Sequence, residues 1–392
     1  MGTRLTIGYS GDCDAAVAAR EAVRGALNGA TNPSFALVMS TDCYDPSALA
    51  RALRDSLGSV PWAGCCSAGV FAGVHWIPDG LVVGLISSPD RETRVGVGIS
   101  GPIEVAPRLA GADAVAEALS QLGPSDPARQ RSIILLPDGR GGVAADVVRG
   151  AAREAGADVH WVGGGSGHNT RPLRSVQFAR GEPHSDRVVA IALESRGKPG
   201  VGICHGWSPA GPPTMVTRAR GDTILELDYQ PAFEVYQQCA AINGDRVTSE
   251  TFASFAISHP IGIPQPDEEY VIRDPLELLS NGGIRCVGEV PDGALVRMMK
   301  GDAEALLRAA SKAAKHARTR VDGEPAGVIA FDCVSRRVML GERTRDELMR
   351  FQEGVGGDVP MMGCLTFGEI GTLTHGMPQF HNKTAVLFAL PT

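Results

Sequence analysis

The side chains with the most informative chemistry lie in the second half of this 392-residue chain. Cys204-His205-Gly206-Trp207 places a histidine and a tryptophan either side of a glycine, a spacing that offers a small ligand one polar and one aromatic wall. A histidine there serves equally well to hold a linker in place. In Tyr270-Val271-Ile272-Arg273-Asp274 the planar guanidinium of Arg273 suits bidentate capture of a carboxylate. A plain Arg273–Asp274 surface arrangement is the competing reading. Glu369 follows Thr366 by three residues. A buried, unpaired carboxylate is too costly to persist, so Glu369 faces water, a ligand amine or Arg273. The pattern predicts a pocket in which Arg273 takes a carboxylate and Glu369 an amine, with His205, Trp207 and Thr366 as walls. Ser166, Asp332, His381 and Asn382 are further candidate contacts.

Other chemistries are weaker. Cys364 and His381 supply a thiol and a base, the minimum for a cysteine-dependent hydrolase, but no third orienting group stands at a telling spacing. The loops Gly163-Gly164-Gly165-Ser166-Gly167 and Asp138-Gly139-Arg140-Gly141-Gly142 offer main-chain N–H groups to an anion, the second at the start of a helix. Neither has the context of a dinucleotide fingerprint and no P-loop lysine follows, so nucleotide binding is a minor alternative. Asp42, Asp138 and Asp332 each follow the end of an apolar run, where α/β sheets place ligands and where aspartate also caps helices. Three such acids favour architecture over a single reaction centre.

The elements that position these residues follow one plan three times. Phe35-Ala36-Leu37-Val38-Met39, Ile133-Ile134-Leu135-Leu136 and Val328-Ile329-Ala330-Phe331 are short apolar runs, as expected of strands buried on both faces. A helix is expected after each: Leu49, Leu53 and Leu57 share a face in the first, Val143, Val147 and Ala151 in the second, Leu348 and Phe351 in the third. Then come the turns Gly64-Cys65-Cys66-Ser67, Gly163-Gly164-Gly165-Ser166 and Gly363-Cys364-Leu365-Thr366, each with a glycine two residues before a hydroxyl side chain. Apolar strands at 81–86, 188–193 and 385–390 close the units. Further strands at 95–100 and 200–204 extend the first two, and Leu5-Thr6-Ile7-Gly8-Tyr9-Ser10 is expected to supply the third by pairing with the C-terminal unit. Between the second and third units a β-rich insert is predicted, entered through the linker Ser208-Pro209-Ala210-Gly211-Pro212-Pro213. It contains a hairpin at 215–227, a helix opening at Pro231, and strands at 269–273, 284–290 and 294–299; a long helix at 302–318 follows. The expected fold is α/β, with mixed sheets covered by helices.

Composition excludes several classes. With 37 basic and 44 acidic residues the net charge is −7, unlike a nucleic-acid-coating surface. No stretch approaches the length of a membrane span, and the N-terminus has no apolar signal region, so a cytoplasmic location is expected. Met1-Gly2 loosely fits a myristoylation pattern, but Ile7 and Tyr9 read as a continuing buried strand. Nine scattered cysteines with no CxxC read as reduced thiols rather than a zinc site.

In order along the chain, several strings resemble the FIST family, whose N- and C-terminal parts adjoin. They are the turns at 64–69 and 163–167, Gly202-Ile203-Cys204-His205-Gly206-Trp207, Pro231-Ala232-Phe233-Glu234-Val235-Tyr236, His259-Pro260-Ile261-Gly262, Val271-Ile272-Arg273-Asp274-Pro275, Phe331-Asp332-Cys333 with Arg336, Gly368-Glu369-Ile370, and His381-Asn382. The resemblance implies an N-terminal domain over 1–209 and a C-terminal domain over 214–392. It also implies a sensory module for a small, amino-acid-like molecule, with no required cofactor. With no output domain in the chain, the signal is expected to pass through a partner protein. One branch of the family resembles haem-based nitric oxide sensors, which implies His205, His259 or His381 as an axial ligand.

Overall fold

The computed structural model describes residues 2–88, 92–139, 142–168, 175–266, 269–372 and 377–392; Met1 and the Arg140-Gly141 pair of the glycine-rich loop lie outside them. The first stretch runs β1 (Arg4–Ser10), α1 (Ala15–Leu27), β2 (Pro33–Thr41), α2 (Pro46–Leu57), β3 (Trp62–Ser67), β4 (Val70–Ala72), β5 (His75–Ile77) and β6 (Leu81–Ser87). The second runs β7 (Thr93–Ile99), α3 (Pro107–Ser120), β8 (Gln130–Pro137), α4 (Ala144–Ala155), β9 (Val159–Gly164), β10 (Gln177–Ala179), β11 (Glu182–His184) and β12 (Val188–Ser195). After β13 (Gly200–Cys204) comes the insert: β14 (Ser208–Pro209), β15 (Thr214–Arg220), β16 (Thr223–Leu227), β17 (Gln230–Pro231), α5 (Ala232–Ile242), α6 (Phe252–Ser258), β18 (Ile261–Pro264), β19 (Tyr270–Leu278), β20 (Ile284–Val287) and β21 (Leu295–Lys300). The chain ends with α7 (Ala303–Arg320), β22 (Pro325–Cys333), α8 (Val334–Leu340), α9 (Thr344–Val355), β23 (Met361–Thr366), β24 (Glu369–Gly371), β25 (Gln379–His381) and β26 (Ala385–Pro391).

Three six-stranded sheets result, ordered β1-β6-β2-β3-β10-β11, β7-β12-β8-β9-β24-β25 and β13-β26-β22-β23-β4-β5. In each, the pair β2–β3, β8–β9 or β22–β23 is parallel and its neighbours are antiparallel. The short hairpin that follows the glycine turn leaves its own sheet. The β4–β5 hairpin joins β23, β10–β11 joins β3, and β24–β25 joins β9. The inner faces share one core, which draws Leu37, Ile134 and Ile329 from the three sheets together.

The edge strands correct two expectations. β1 pairs with β6 over its full length, from Arg4↔Ser87 to Ser10↔Leu81, not with the C-terminal segment, and β26 is flanked by β13 and β22. Likewise β7 and β13 open the second and third sheets rather than extending the preceding ones. The reason is close packing on the helix that follows each strand. A Cβ on Gly8, Gly98 or Gly202 would stand 2.0, 2.0 or 1.8 Å from the carbonyl oxygens of Ala22, Ala114 and Ala313, on α1, α3 and α7. Only glycine allows that approach, and it ties each edge strand to the sheet its own helix covers.

The insert enters between β13 and α7. β21 pairs with both β15 and β18, so β21, β15, β16, β20, β19 and β18 close into a small antiparallel barrel. Val216, Ile224, Tyr236, Phe252 and Ile261 fill and seal it. Closure removes the exposed edges that so short a sheet would otherwise present. The predicted linker is pinned at its start, where Ser208 and Pro209 pair with Lys300 and Met299.

The edge-strand packing is testable. Gly202→Ala forces a methyl group onto the Ala313 carbonyl and is expected to lose about 1–3 kcal/mol in urea unfolding. Gly101→Ala, where nothing lies within 4 Å of a new Cβ, is expected to stay within about 0.5 kcal/mol of the parent.

Candidate ligand-binding site

The glycine turns singled out from sequence meet at the centre. Gly167 N donates to Cys66 O (3.1 Å), Phe367 N to Gly165 O (3.0 Å), Gly165 N to Gly368 O (2.8 Å) and Leu365 N to Gly69 O (2.9 Å), so each turn is bonded to the others. The hydroxyls are spent inside this knot. Ser67 Oγ donates to Leu365 O at 2.6 Å, and Ser166 Oγ donates to Pro137 O at 3.1 Å while accepting from Gln177 Nε2. Ser166 is therefore a structural contact. Cys364 is fully buried and hydrogen-bonded to Cys65, in the shared apolar core. Its thiol thus meets Cys65, whereas His381, the base paired with it in the sequence reading, bonds Gly371 O.

Beside the knot lies a buried charge network peculiar to the third sheet and the insert. Glu369 is fully buried; Thr366 Oγ1 lies 2.9 Å from its Oε1, and Thr384 N donates to Oε2 at 3.2 Å. Burial pushes its carboxyl up to about 8, so at neutral pH it is mainly protonated. That resolves the cost of its charge without a ligand amine or Arg273. Asp332 is also pushed well up, by burial and then by Glu347. Arg336 lies between them, with Nε 3.0 Å from Asp332 Oδ1 and the guanidinium paired with Glu347 on α9. Its Nη1 donates to His205 O (2.8 Å) and its Nη2 to Leu306 O on α7 (3.1 Å). Lys383 pairs with Asp274 at 3.0 Å, donates to Ile257 O at 3.1 Å and stands 5.5 Å over the Trp207 ring. Trp207 Nε1 returns a bond to Lys383 O.

The three candidate axial histidines, His205, His259 and His381, are neutral at pH 7. Burial pushes His205 down to about 3 and His381 to about 4, and lowers His259. His205 Nδ1 accepts from Trp207 N at 2.9 Å, which leaves the proton on Nε2. An axial haem ligand needs the opposite arrangement, with a free Nε2 and an Nδ1 that donates. His381 Nε2 bonds Gly371 O at 3.1 Å in the interior. His259 stacks on Phe255 at 3.8 Å, near Asp245. His205 and His381 thus do not fit haem. His259 has the required pattern, with Nδ1 bonded to Phe255 O at 3.1 Å and no hydrogen-bond partner on Nε2, but that nitrogen is buried 3.8 Å from Asp245, and His259 lines neither the cavity beside His205 nor the one beside Arg273.

Two cavities take up the remaining candidates, and they share no wall. The larger, about 410 Å³, is lined by His205, Trp207, Glu269, Tyr270, Arg308 and Lys312, among others. The smaller, about 250 Å³, contains Arg273. Thr366, Glu369, Asp332, His381, Asn382 and Ser166 line neither. The structure thus brings His205 and Trp207 together and sets Arg273 and Glu369 apart from them. Arg308 and Lys312, one turn apart on α7, were not found by sequence reasoning. Their signal is two cations at i and i+4 on a helix; among the described residues neither has an ion-pair partner, and nor has Glu269. Among the described residues, no three or more His, Cys, Asp or Glu side chains are grouped to hold a metal, and no helix is long and apolar enough to cross a membrane.

Three mixed sheets that exchange hairpins, a barrel inserted before the third, and polar cavities along the barrel's seam define a helix-covered α/β module. The chain belongs to the FIST family: it matches the FIST N domain over residues 34–230 and the FIST C domain over 232–372. FIST domains are in general sensory modules that bind small ligands. The uncharacterized protein Rv0628c of Mycobacterium tuberculosis is similar, 26% identical over 97% of this chain and 98% of its own length. The uncharacterized protein MJ1623 of Methanocaldococcus jannaschii is 23% identical over 55% of this chain and 46% of its own.

Glu369 gives the network a pH signature. Its carboxyl moves from an ordinary 4.5 up to about 8, so the folded chain holds the proton more tightly than the unfolded one. That contribution to stability is complete below about 4.5 and is lost as pH rises through about 8. Glu369→Gln cannot ionise. Its melting temperature relative to the parent is expected to rise between pH 5 and pH 9; a pH-independent difference contradicts the assignment.

Proposed function

We propose that this protein is a sensor that reversibly binds a small, amino-acid-like zwitterion in the cavity beneath His205 and Trp207 and signals through a partner protein. The supporting observation is the set of unmatched polar groups around that one space. Arg308 and Lys312 stand along α7, Glu269 stands on the barrel side, and His205 Nε2–H has no partner among the described residues. Two cations suit a carboxylate and one acid suits an ammonium group, while Trp207 and Tyr270 offer aromatic surface to a side chain. At about 410 Å³ the cavity falls in the ordinary range for small-ligand sites.

A route outward is built in. Arg336 holds the main chain of His205 and of Leu306 on α7 and is paired with Glu347 on α9. A ligand that draws α7 and the 204–207 loop together acts on α9 through that one guanidinium, and α9 carries the exposed Met349 toward any partner.

Calorimetric titration with a panel of amino acids tests the reading. Lys312→Ala and Glu269→Gln are each expected to weaken the best ligand about tenfold, the loss of one charged hydrogen bond. Lys312 is exposed and Glu269 half-buried, so folding is expected to be unaffected. Unchanged affinity in both variants removes the site.

A further inference from the structure

The second cavity lies where β18 and β19 of the barrel face α4 and β25. Its walls are mainly apolar and include Val148, Ile263, Val271, Pro291 and Phe380. Its polar members besides Arg273 are Gln265, Gln379 and the mutually paired Arg149 and Glu289; unlike that pair, Arg273 has no ion-pair partner among the described residues. It is only 7% exposed, and three main-chain carbonyls fix its plane: Nε donates to Glu289 O at 2.7 Å, and Nη1 to Ile272 O and Phe380 O at 3.0 Å each. Carbonyls orient a guanidinium without neutralising it. Among the described residues no carboxylate stands within ion-pair distance of Arg273, and Nη2 has no hydrogen-bond partner. Glu289 directs its carboxylate to Arg149 instead, at 2.7 Å, and Arg149 also pairs with Asp146 at 2.9 Å. Asp146 is further shared with Arg108. Two acids thus serve two other arginines, and the charge of Arg273 is left over. Burial lowers its pKa only to about 10, so it remains a cation at neutral pH. A buried cation without a counter-ion is costly, and an anion in the adjoining space offsets that cost.

We infer that the cavity beside Arg273 is a second ligand site, separate from the one beneath His205, and that it takes a short-chain monocarboxylate. The carboxylate meets Nη2, and the hydrocarbon end lies on Val148, Ile263, Val271 and Phe380. One unmatched cation against apolar walls selects a single negative charge with an apolar tail. A phosphate dianion would bring more charge than the site balances and nothing to cover the walls. Because Arg273 holds the barrel through Ile272 and Glu289 and the second sheet through Phe380, the bound acid also braces the two against each other.

Butyrate and inorganic phosphate, titrated separately into the full chain by calorimetry and followed by thermal shift, test this. The parent is expected to bind butyrate with a rise in melting temperature, and phosphate more weakly. Arg273→Gln removes the cation but also three structural bonds, so Ala145→Leu is the deciding variant. Ala145 lines the cavity on α4 and makes none of the Arg273 contacts. It is expected to fold normally and to weaken butyrate at least about tenfold, while Lys312→Ala, in the other cavity, leaves butyrate unaffected. A parent that ignores butyrate, an Ala145→Leu variant that binds it as well as the parent does, or phosphate binding as tight as butyrate binding overturns the assignment.

Discussion

At the centre of the molecule three glycines stand where no side chain fits. Gly64, Gly163 and Gly363 lie in parallel register beside Val38, Leu135 and Ala330. A Cβ on any of them would come within 2.4 Å of that partner's carbonyl oxygen. The second parallel strand of each sheet is thereby pressed onto the first just before its turn, and the turns converge tightly enough to bond one another through main-chain groups. The chain leaving each turn cannot double back onto its own sheet, because the neighbouring turn occupies that space. It pairs instead with the next sheet, and the three hairpins are exchanged in a ring. Every sheet is completed by strands from another stretch of sequence. The pairing of β13 with β26 likewise joins residues near 200 to residues near 390, so the N- and C-terminal family matches cover segments that share sheets.

Within that frame the third sheet is unlike the others. Asp42, Asp138 and Asp332 follow or end corresponding strands, but their surroundings differ. Asp138 is held by Ser175 Oγ and by Asp186 N at 3.0 Å, a turn-closing arrangement. Asp332 faces Arg336. Around Arg336, Asp332, Glu347 and Glu369 supply more acid than one guanidinium can balance, and burial settles the excess by holding protons on carboxyls. Such a network adds little stability over apolar packing, whereas removing one member costs about 3–5 kcal/mol. Its effect is positional: one side chain fixes the His205 loop, α7 and α9 relative to each other.

Much of this was legible in the sequence. The uninterrupted apolar runs gave the central strands, the shared face of Leu49, Leu53 and Leu57 marked α2, and the spacing of Gly to Ser or Thr marked the turns. The helices α1 and α3 were not found, because their buried faces are built of alanine, Ala18, Ala19, Ala22 and Ala26 in one and Ala110, Ala114 and Ala118 in the other. An alanine stripe has little periodic contrast, yet it is what lets a helix lie on a glycine-bearing edge strand. The site was legible in part. His205 and Trp207 line one cavity, Arg273 lines another and Glu369 neither, since linear spacing does not report that Arg273 is held by carbonyls and Glu369 is neutral.

The placement of the barrel explains why charge is left unmatched where it is. The connections β1–α1 and β7–α3 are short, whereas the corresponding step from β13 to α7 carries the whole insert. A closed barrel has its own core, with Tyr236, Phe252 and Ile261 turned inward, and meets the three-sheet body as one surface against another. The two share one apolar cluster, Ile272 and Met299 of the barrel against Leu306, Leu307 and Leu340 of the body, and space is left elsewhere along the seam. Both cavities with unmatched charge are there: Glu269 and Tyr270 face α7 in one, and Ile263, Val271 and Arg273 face α4 in the other. Charges stranded at such a seam are tolerated only near water or near something that replaces it. A molecule that met either stranded charge would touch barrel and body at once, and so would report on how the barrel is seated.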